Sequence, residues 1–207
     1  FNMQEVTIPG RSTDTVRFTP FIYGTNANKW EPGAKNPPLY KVMLFTRRNG
    51  VYKEYMPMKI GFGKTELIDG RIMRLGKELK LEKARYNAAA DRKTALAELK
   101  ALKAKGKNTI CPDYPQPAWF YELCDELGLY VIDCANINAP EKRDDRKVGG
   151  TPSNDPSLAD EYLERVKAMY YRSRNHSCVI AFALGGESGN GYNMYKAYEW
   201  LKSVEKS

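Results

Sequence analysis

The sequence predicts an α/β fold, with a partial β-sandwich over residues 1–75 leading into about four βα units over residues 76–207. Three observations carry that prediction. Apolar residues alternate with polar ones up to about residue 75 and then recur at helical spacing. Past that change, short runs that are apolar on both faces alternate with helical stretches, the pattern of a parallel sheet covered by its own crossovers. Turn dipeptides separate the runs of the first region, whereas helix caps and stops punctuate the second.

In the first region "DTVRFTPF" (14–21) and "LYKVMLFTRRNGVYKEYMPMKIGF" (39–62) are rich in β-branched and aromatic residues and are expected to be strands. Asn49-Gly50 sits between two such runs, a strong hairpin signal, and Asp69-Gly70 repeats it. Prolines crowd residues 32–38, which reads as an irregular connection.

The second region opens with "KELKLEKARYN" (77–87) as its first strand. A helix follows in "DRKTALAELKALKAKG" (91–106), where Leu96, Leu99 and Leu102 share a face, Asp91 stands near the start and Gly106 follows the end. "NTICP" (108–112) is a strand and "PAWFYELCDELG" (117–128) a helix with Pro117 in its first turn and Gly128 as its stop. "LYVIDCANI" (129–137) is a fully apolar strand. The long helix "DPSLADEYLERVKAMYYRSRNH" (155–176) takes Asp155 as its N-cap and aligns Leu158, Tyr162, Val166 and Met169 on one face. "CVIAFAL" (178–184) is the fourth strand and "YNMYKAYEWLKSVEK" (192–206) the last helix. Four such units form either an open sheet or half of an eight-unit barrel. In both, ligands bind at the carboxyl ends of the strands. That end carries Asp113, Asn136, Asn138 and, within "GGESGNG", the glycine-flanked carboxylate Glu187.

Composition narrows the function classes. At 42% hydrophobic residues the chain can bury a core, and it contains no apolar run long enough to span a membrane. The opening residue is Phe1 and no charged-then-apolar signal follows it, so the chain is expected to be a mature or excised piece. Most of the formal charge of +8 arises between Arg71 and Lys107, where twelve basic residues face four acidic ones at mixed spacings. A solvated basic face is the expected meaning; nucleic-acid binding remains the minority alternative, because no reading element accompanies the charge. Cys111, Cys124, Cys134 and Cys178 include no C-x-x-C pair, and His176 is the single histidine, so buried free thiols are expected rather than a zinc site. "GFGKTELIDG" suggests a phosphate loop, but Met58 stands where that loop needs glycine, and a strand-like run follows where it needs a helix.

"IGFGKTELIDGR", "PAWFYELCDELGLYVIDCANI" and "RSRNHSCVIAFALGGESG" resemble the motifs of glycoside hydrolase family 2, the family of β-galactosidases, β-glucuronidases and β-mannosidases. The resemblance runs over most of the chain from about Trp30. It implies an immunoglobulin-like sandwich leading into a (β/α)8 TIM barrel that cleaves β-glycosides with retention, here as a fragment with part of the sandwich and the first half of the barrel. It puts Glu187 at the acid/base position ending the fourth strand. The family's nucleophile ends the seventh strand, and the chain is expected to stop before it, so that the isolated chain is expected to be inactive. Carbohydrate is the implied partner, no cofactor is expected, and the exposed edges of a half barrel are expected to favour self-association.

Departures from the motifs qualify the activity. Gly186 replaces the asparagine that holds the sugar's 2-hydroxyl in the family. The family's D-E-A-N-I-E reads Asp133-Cys134-Ala135-Asn136-Ile137-Asn138, which removes two carboxylates, one of them a magnesium ligand in some members. R-T-S-H-Y-P reads Ile110-Cys111-Pro112-Asp113-Tyr114-Pro115, so the sugar-facing arginine and histidine are missing and Asp113 is the best remaining second carboxylate. A carbohydrate-binding or scaffold protein that has lost the chemistry is therefore the first rival reading. His176 precedes the fourth strand, at the end opposite the site, and reads as structural.

Overall fold

The computed structural model describes residues 3–19, 23, 25, 28–31 and 37–205. Strands β1 (Tyr40–Arg48) and β2 (Val51–Ile60) form an antiparallel hairpin. Asn49 and Gly50 close it with φ of 51° and 78°. Both angles are left-handed, as a type I′ turn requires and as Asn and Gly tolerate best. Strands β3 (Thr65–Ile68), β4 (Arg71–Arg74) and β5 (Lys77–Glu78) form a meander. Asp69-Gly70 makes its first turn as expected, and Leu75-Gly76 makes a second of the same kind, with φ of 50° and 80°. A leucine at the first position hides that turn from sequence inspection. Because β3 follows Lys64 directly, the glycines at 61 and 63 lead into a strand and build no phosphate loop.

Several strand and helix expectations are corrected. Residues 14–19 form no strand, and Pro20 and Phe21 lie outside the described residues, as do residues 32–36 of the proline-rich connection. The run 77–87 is split between two sheets. Its first residues pair back onto β4, and only β6 (Lys83–Arg85) enters the parallel sheet, because the Leu75-Gly76 turn commits the start of the run to the meander. The helix expected from Asp155 begins as a short 3-10 turn, Pro156–Leu158, whose Ser157 amide Asp155 caps at 2.9 Å.

The parallel sheet continues through α1 (Arg92–Ala104), β7 (Thr109–Cys111), α2 (Ala118–Leu127), β8 (Tyr130–Cys134), α3 (Ala159–Ser173), β9 (Val179–Ala183) and α4 (Tyr192–Val204). Its strand order is β6-β7-β8-β9, all parallel and all adjacent in sequence. A doubly wound sheet reverses its order at a switch point, whereas a barrel keeps it. The unreversed order is that of consecutive barrel units.

Helix ends follow from local chemistry. The Asp91 carboxylate accepts the Thr94 amide at 2.9 Å and starts α1, and Gly128, at φ 66°, stops α2. Two cores lie between sheet and helices. Leu99, Ile110, Phe120, Tyr121, Leu123 and Val131 are among the residues that pack one under α1 and α2. Ile137, Tyr162, Val166, Met169, Tyr170 and Leu201 pack the other under α3 and α4. Trp30 binds the segment before the barrel to its amino end: its indole N–H donates to the Asp125 carbonyl at 2.9 Å, and its ring meets Tyr130 edge-on. Gly61 is required there, since a Cβ would lie 2.6 Å from that of Trp30.

Candidate active site

Strand alternation decides what faces the carboxyl ends. Ala84 and Ile110 pack into the core under the helices, so their neighbours Lys83, Arg85 and Cys111 turn to the other face. Beyond β9 the chain stays alongside the segment following β8. Gly186 N donates to the Ile137 carbonyl at 2.7 Å, and Ala139 N donates to the Glu187 carbonyl at 3.0 Å. This approach needs glycine at 185, where a Cβ would lie 2.8 Å from the Ile137 oxygen. Gly189 is needed for the same reason against Thr151 and the Arg143 carbonyl. Gly186 is different. A Cβ there would meet nothing closer than 3.7 Å, so its lack of a side chain is not enforced by packing.

The backbone ladder holds Glu187 in place while its side chain stays exposed. Among the described residues its carboxylate has no hydrogen bond or ion pair. Asn138 lies beside Gly186 and so belongs to the same patch. Asn136, by contrast, gives its carbonyl to Arg165 at 2.6 Å and borders a separate depression of about 510 Å³ against α3, with Pro115 and Glu161. The structure therefore brings Asn138, Gly186 and Glu187 together and leaves Asn136 apart.

Asp113 follows β7 and is already engaged. Its Oδ1 accepts Arg85 Nε at 2.9 Å and Nη2 at 2.6 Å, and its Oδ2 accepts Asn87 Nδ2 at 2.9 Å. Asn87, and next to it Arg85, hold the Asp113 carboxyl below the usual carboxylate range. The hydrogen bond to Asp113 in turn raises Arg85, to which Glu187 adds a smaller electrostatic pull. Glu187 thus lies within electrostatic reach of the Arg85–Asp113 pair. Nothing in the run 77–87 singles out Arg85 and Asn87, because their meeting with Asp113 is made across the sheet by residues 26 to 28 positions away.

His176 lies before β9, at the amino end as expected. Its Nδ1 and the Asp125 Oδ2 are 2.7 Å apart, and its ring leans on Tyr121. A depression of about 570 Å³ opens at that end, lined in part by Gly61, Arg74, His176 and Ser177, away from Glu187. Cys124, Cys134 and Cys178 are buried free thiols and Cys111 is half-buried. Among the described residues no cluster of three or more His, Cys, Asp or Glu could hold a metal, and no helix is long and apolar enough to cross a membrane. Within the basic stretch, Arg71, Arg85 and Arg92 pair with Glu78, Asp113 and Glu122, and Arg74 is buried.

Comparison with known proteins converges on one family. The family description "Glycosyl hydrolases family 2, TIM barrel domain" matches residues 81–207. The β-galactosidase of Pectobacterium atrosepticum is 32% identical over 187 residues, covering 86% of this chain and 17% of the relative. That of Lactococcus lactis subsp. lactis is 33% identical over 184 residues, covering 83% of this chain and 18% of the relative. This chain therefore spans less than a fifth of the length of these curated relatives. Among solved structures, the exo-chitosanase CsxA of Amycolatopsis orientalis superposes with a TM-score of 0.69 at 20% identity, over 86% of this chain and 22% of that one. The β-glucuronidase of Parabacteroides merdae gives 0.65 at 20% identity, over 86% and 24%. The shared fold, the four consecutive barrel units and the matched sequence together show that the chain belongs to glycoside hydrolase family 2, as part of its TIM barrel domain.

Proposed function

We propose that residues 76–207 form the acid/base side of a retaining β-glycosidase site acting on β-linked sugars, with β-galactosides as the first substrates to try. Residues 1–75 are read as part of an immunoglobulin-like sandwich domain. The observation that carries the catalytic reading is the Glu187 carboxylate, held on a fixed backbone at the strand ends and left without an ion-pair partner among the described residues. A general acid needs that freedom, since it must hold a proton, give it to the leaving oxygen and later take one from water. Asp113, Asn138 and the backbone at Gly186 are assigned to sugar binding. Asn136, on the α3 side, is left with no direct part in this reading.

Retention requires a second carboxylate about 5–5.5 Å from the first. Asp113 is a weak candidate because it already accepts three hydrogen bonds from Arg85 and Asn87. In this reading the nucleophile comes from the part of the relatives' length that this chain does not span, and the isolated chain does not turn over substrate. The test is hydrolysis of aryl β-glycosides by a polypeptide that includes the whole barrel, beside its Glu187→Gln variant. A fall in kcat of about 10²–10⁴-fold is expected. Turnover unmoved by the substitution would overturn the assignment of Glu187.

A second reading, sugar binding without turnover, is favoured by Gly186, where the family's sugar-holding asparagine is absent although a Cβ would meet nothing closer than 3.7 Å. Detectable sugar binding with no hydrolysis in the whole-barrel polypeptide would select it.

A further inference from the structure

Arg85 carries an unused binding edge at the strand ends. It offers Nε and Nη2 to one oxygen of Asp113, a side-on contact that uses two of the guanidinium's five N–H donors. The tip of the group, formed by Nη1 and the second N–H of Nη2, stays free, and the side chain is 75% exposed. An exposed ion pair of this kind is usually mobile and means little. This one is different because of what it rests on.

Asp113 and Asn87 bind each other twice, through Asn87 Nδ2 to Oδ2 and through Asp113 N to Asn87 Oδ1, both at 2.9 Å. Below them Gln116 is buried and fully engaged. Its side chain accepts the Ala88 amide at 2.6 Å and donates to the Tyr114 carbonyl at 2.6 Å, and its own amide donates to the Tyr121 hydroxyl at 3.2 Å. That hydroxyl donates to Asp133 Oδ1 at 2.7 Å, and Arg172 closes the chain on Asp133 Oδ2 at 3.1 Å. Asp133 and Tyr121 are fully buried. A run of polar contacts therefore leads from the barrel's helix layer to the mouth and fixes Asp113, which fixes Arg85. Part of the ordering cost of a long side chain is met before any ligand arrives.

We propose that the tip of Arg85 binds two adjacent ring hydroxyls of a neutral sugar, with one of those hydroxyls donating a hydrogen bond to Asp113; this rests on the carbohydrate reading above. On this face the charge of Arg85 stands against those of Asp113, which it contacts, and of Glu187, within electrostatic reach. The balance offers no net attraction to a sugar acid, and any anion approaching Arg85 also approaches two carboxylates. A pair of hydroxyls fits better, because each accepts from the guanidinium, and the carboxylate keeps spare acceptor capacity for a hydrogen bond that one of them donates. Arg85 is thus a specificity-determining residue, and Asn87 and Gln116 are positioning residues behind it.

Ligand-observed NMR in the millimolar range tests this on the full chain, with methyl β-galactoside and methyl β-glucuronide, for the unaltered protein and for Arg85→Lys. The galactoside is expected to bind the unaltered chain more tightly than the glucuronide. Arg85→Lys, with an unchanged amide spectrum elsewhere, is expected to weaken the galactoside about tenfold, as loss of one two-pronged contact implies. A galactoside lacking one of the paired hydroxyls should then bind both proteins with equal weakness. Equal binding of the galactoside to both proteins, or a preference for the glucuronide, would sink the assignment of Arg85 while leaving the carbohydrate reading intact. Binding of neither sugar to the unaltered chain would overturn both.

Discussion

Gly185 and Gly186 are adjacent and chemically identical, yet packing treats them differently. At Gly185 a methyl group would press on the Ile137 carbonyl at 2.8 Å, so Gly185→Ala is expected to cost about 1–3 kcal/mol in urea unfolding. At Gly186 the nearest atoms are 3.7 Å or more away and φ is not in the left-handed region, so Gly186→Asn is expected to leave stability within about 0.5 kcal/mol. The same substitution is expected to tighten sugar binding, because it returns a donor beside Glu187; titration of a β-galactoside against both proteins checks it. Asp133 poses the opposite problem. It is fully buried, and its carboxylate accepts from the Tyr121 hydroxyl, the Cys134 amide and Arg172. Asp133→Asn is expected to destabilise by about 3 kcal/mol, the low end for a broken buried pair because Arg172 keeps some contact with water. None of these distinctions was legible in the sequence. The motif "GGESG" displays two equivalent glycines, and the alternation of β8 marks Asp133 only as a polar interruption.

Elements were legible where one local signal dominated. Asp91 and Gly128 bound α1 and α2 as the sequence implies, and Leu99 faces the core as its spacing implies. Leu99→Ala is expected to lower stability by about 2–5 kcal/mol through the cavity it leaves, with a denaturant midpoint shift as the measure. Elements were misread where two signals competed. Residues 77–87 satisfy a strand pattern throughout, but the Leu75-Gly76 turn pairs Lys77–Glu78 with β4 before the parallel sheet begins. Asp155 is a cap, although of a 3-10 turn that precedes α3. In both cases local preference was satisfied and tertiary pairing chose the boundary.

At the scale of the molecule, burial keeps several acidic groups protonated. The Tyr86 and Tyr130 hydroxyls are pushed up to about 12 and the Cys134 thiol to about 11, chiefly by desolvation. In the unfolded chain such groups ionise near their ordinary values, about 8.5 for Cys and about 10 for Tyr. Between those values and the folded ones the unfolded state has lost protons that the folded state keeps. The stability these groups contribute is therefore fully present below about pH 8.5 and is expected to be lost steadily toward pH 12, which urea titrations across that range would register. The outer strands of the parallel sheet, β6 and β9, each have one unpaired edge among the described residues, and Met43, Leu44, Tyr55 and Met56 of the hairpin are exposed. We propose on that basis that the chain self-associates, and light scattering at rising concentration should show mass above the monomer's. A monomer throughout would refute it.

The sequence by itself determined the class of the fold, the order of the strands and helices of the parallel sheet, and the place of Glu187 shortly after the fourth of those strands. Periodicity, caps and turn dipeptides are local, and each can be read within a few residues of its cause. Tertiary structure alone decided which carboxylate is free and which is engaged. Arg85, Asn87 and Asp113 meet from different strand ends, 28 positions apart in the case of the arginine. Such a meeting depends on register and on where each strand stops, and no short window of sequence contains both sides of it.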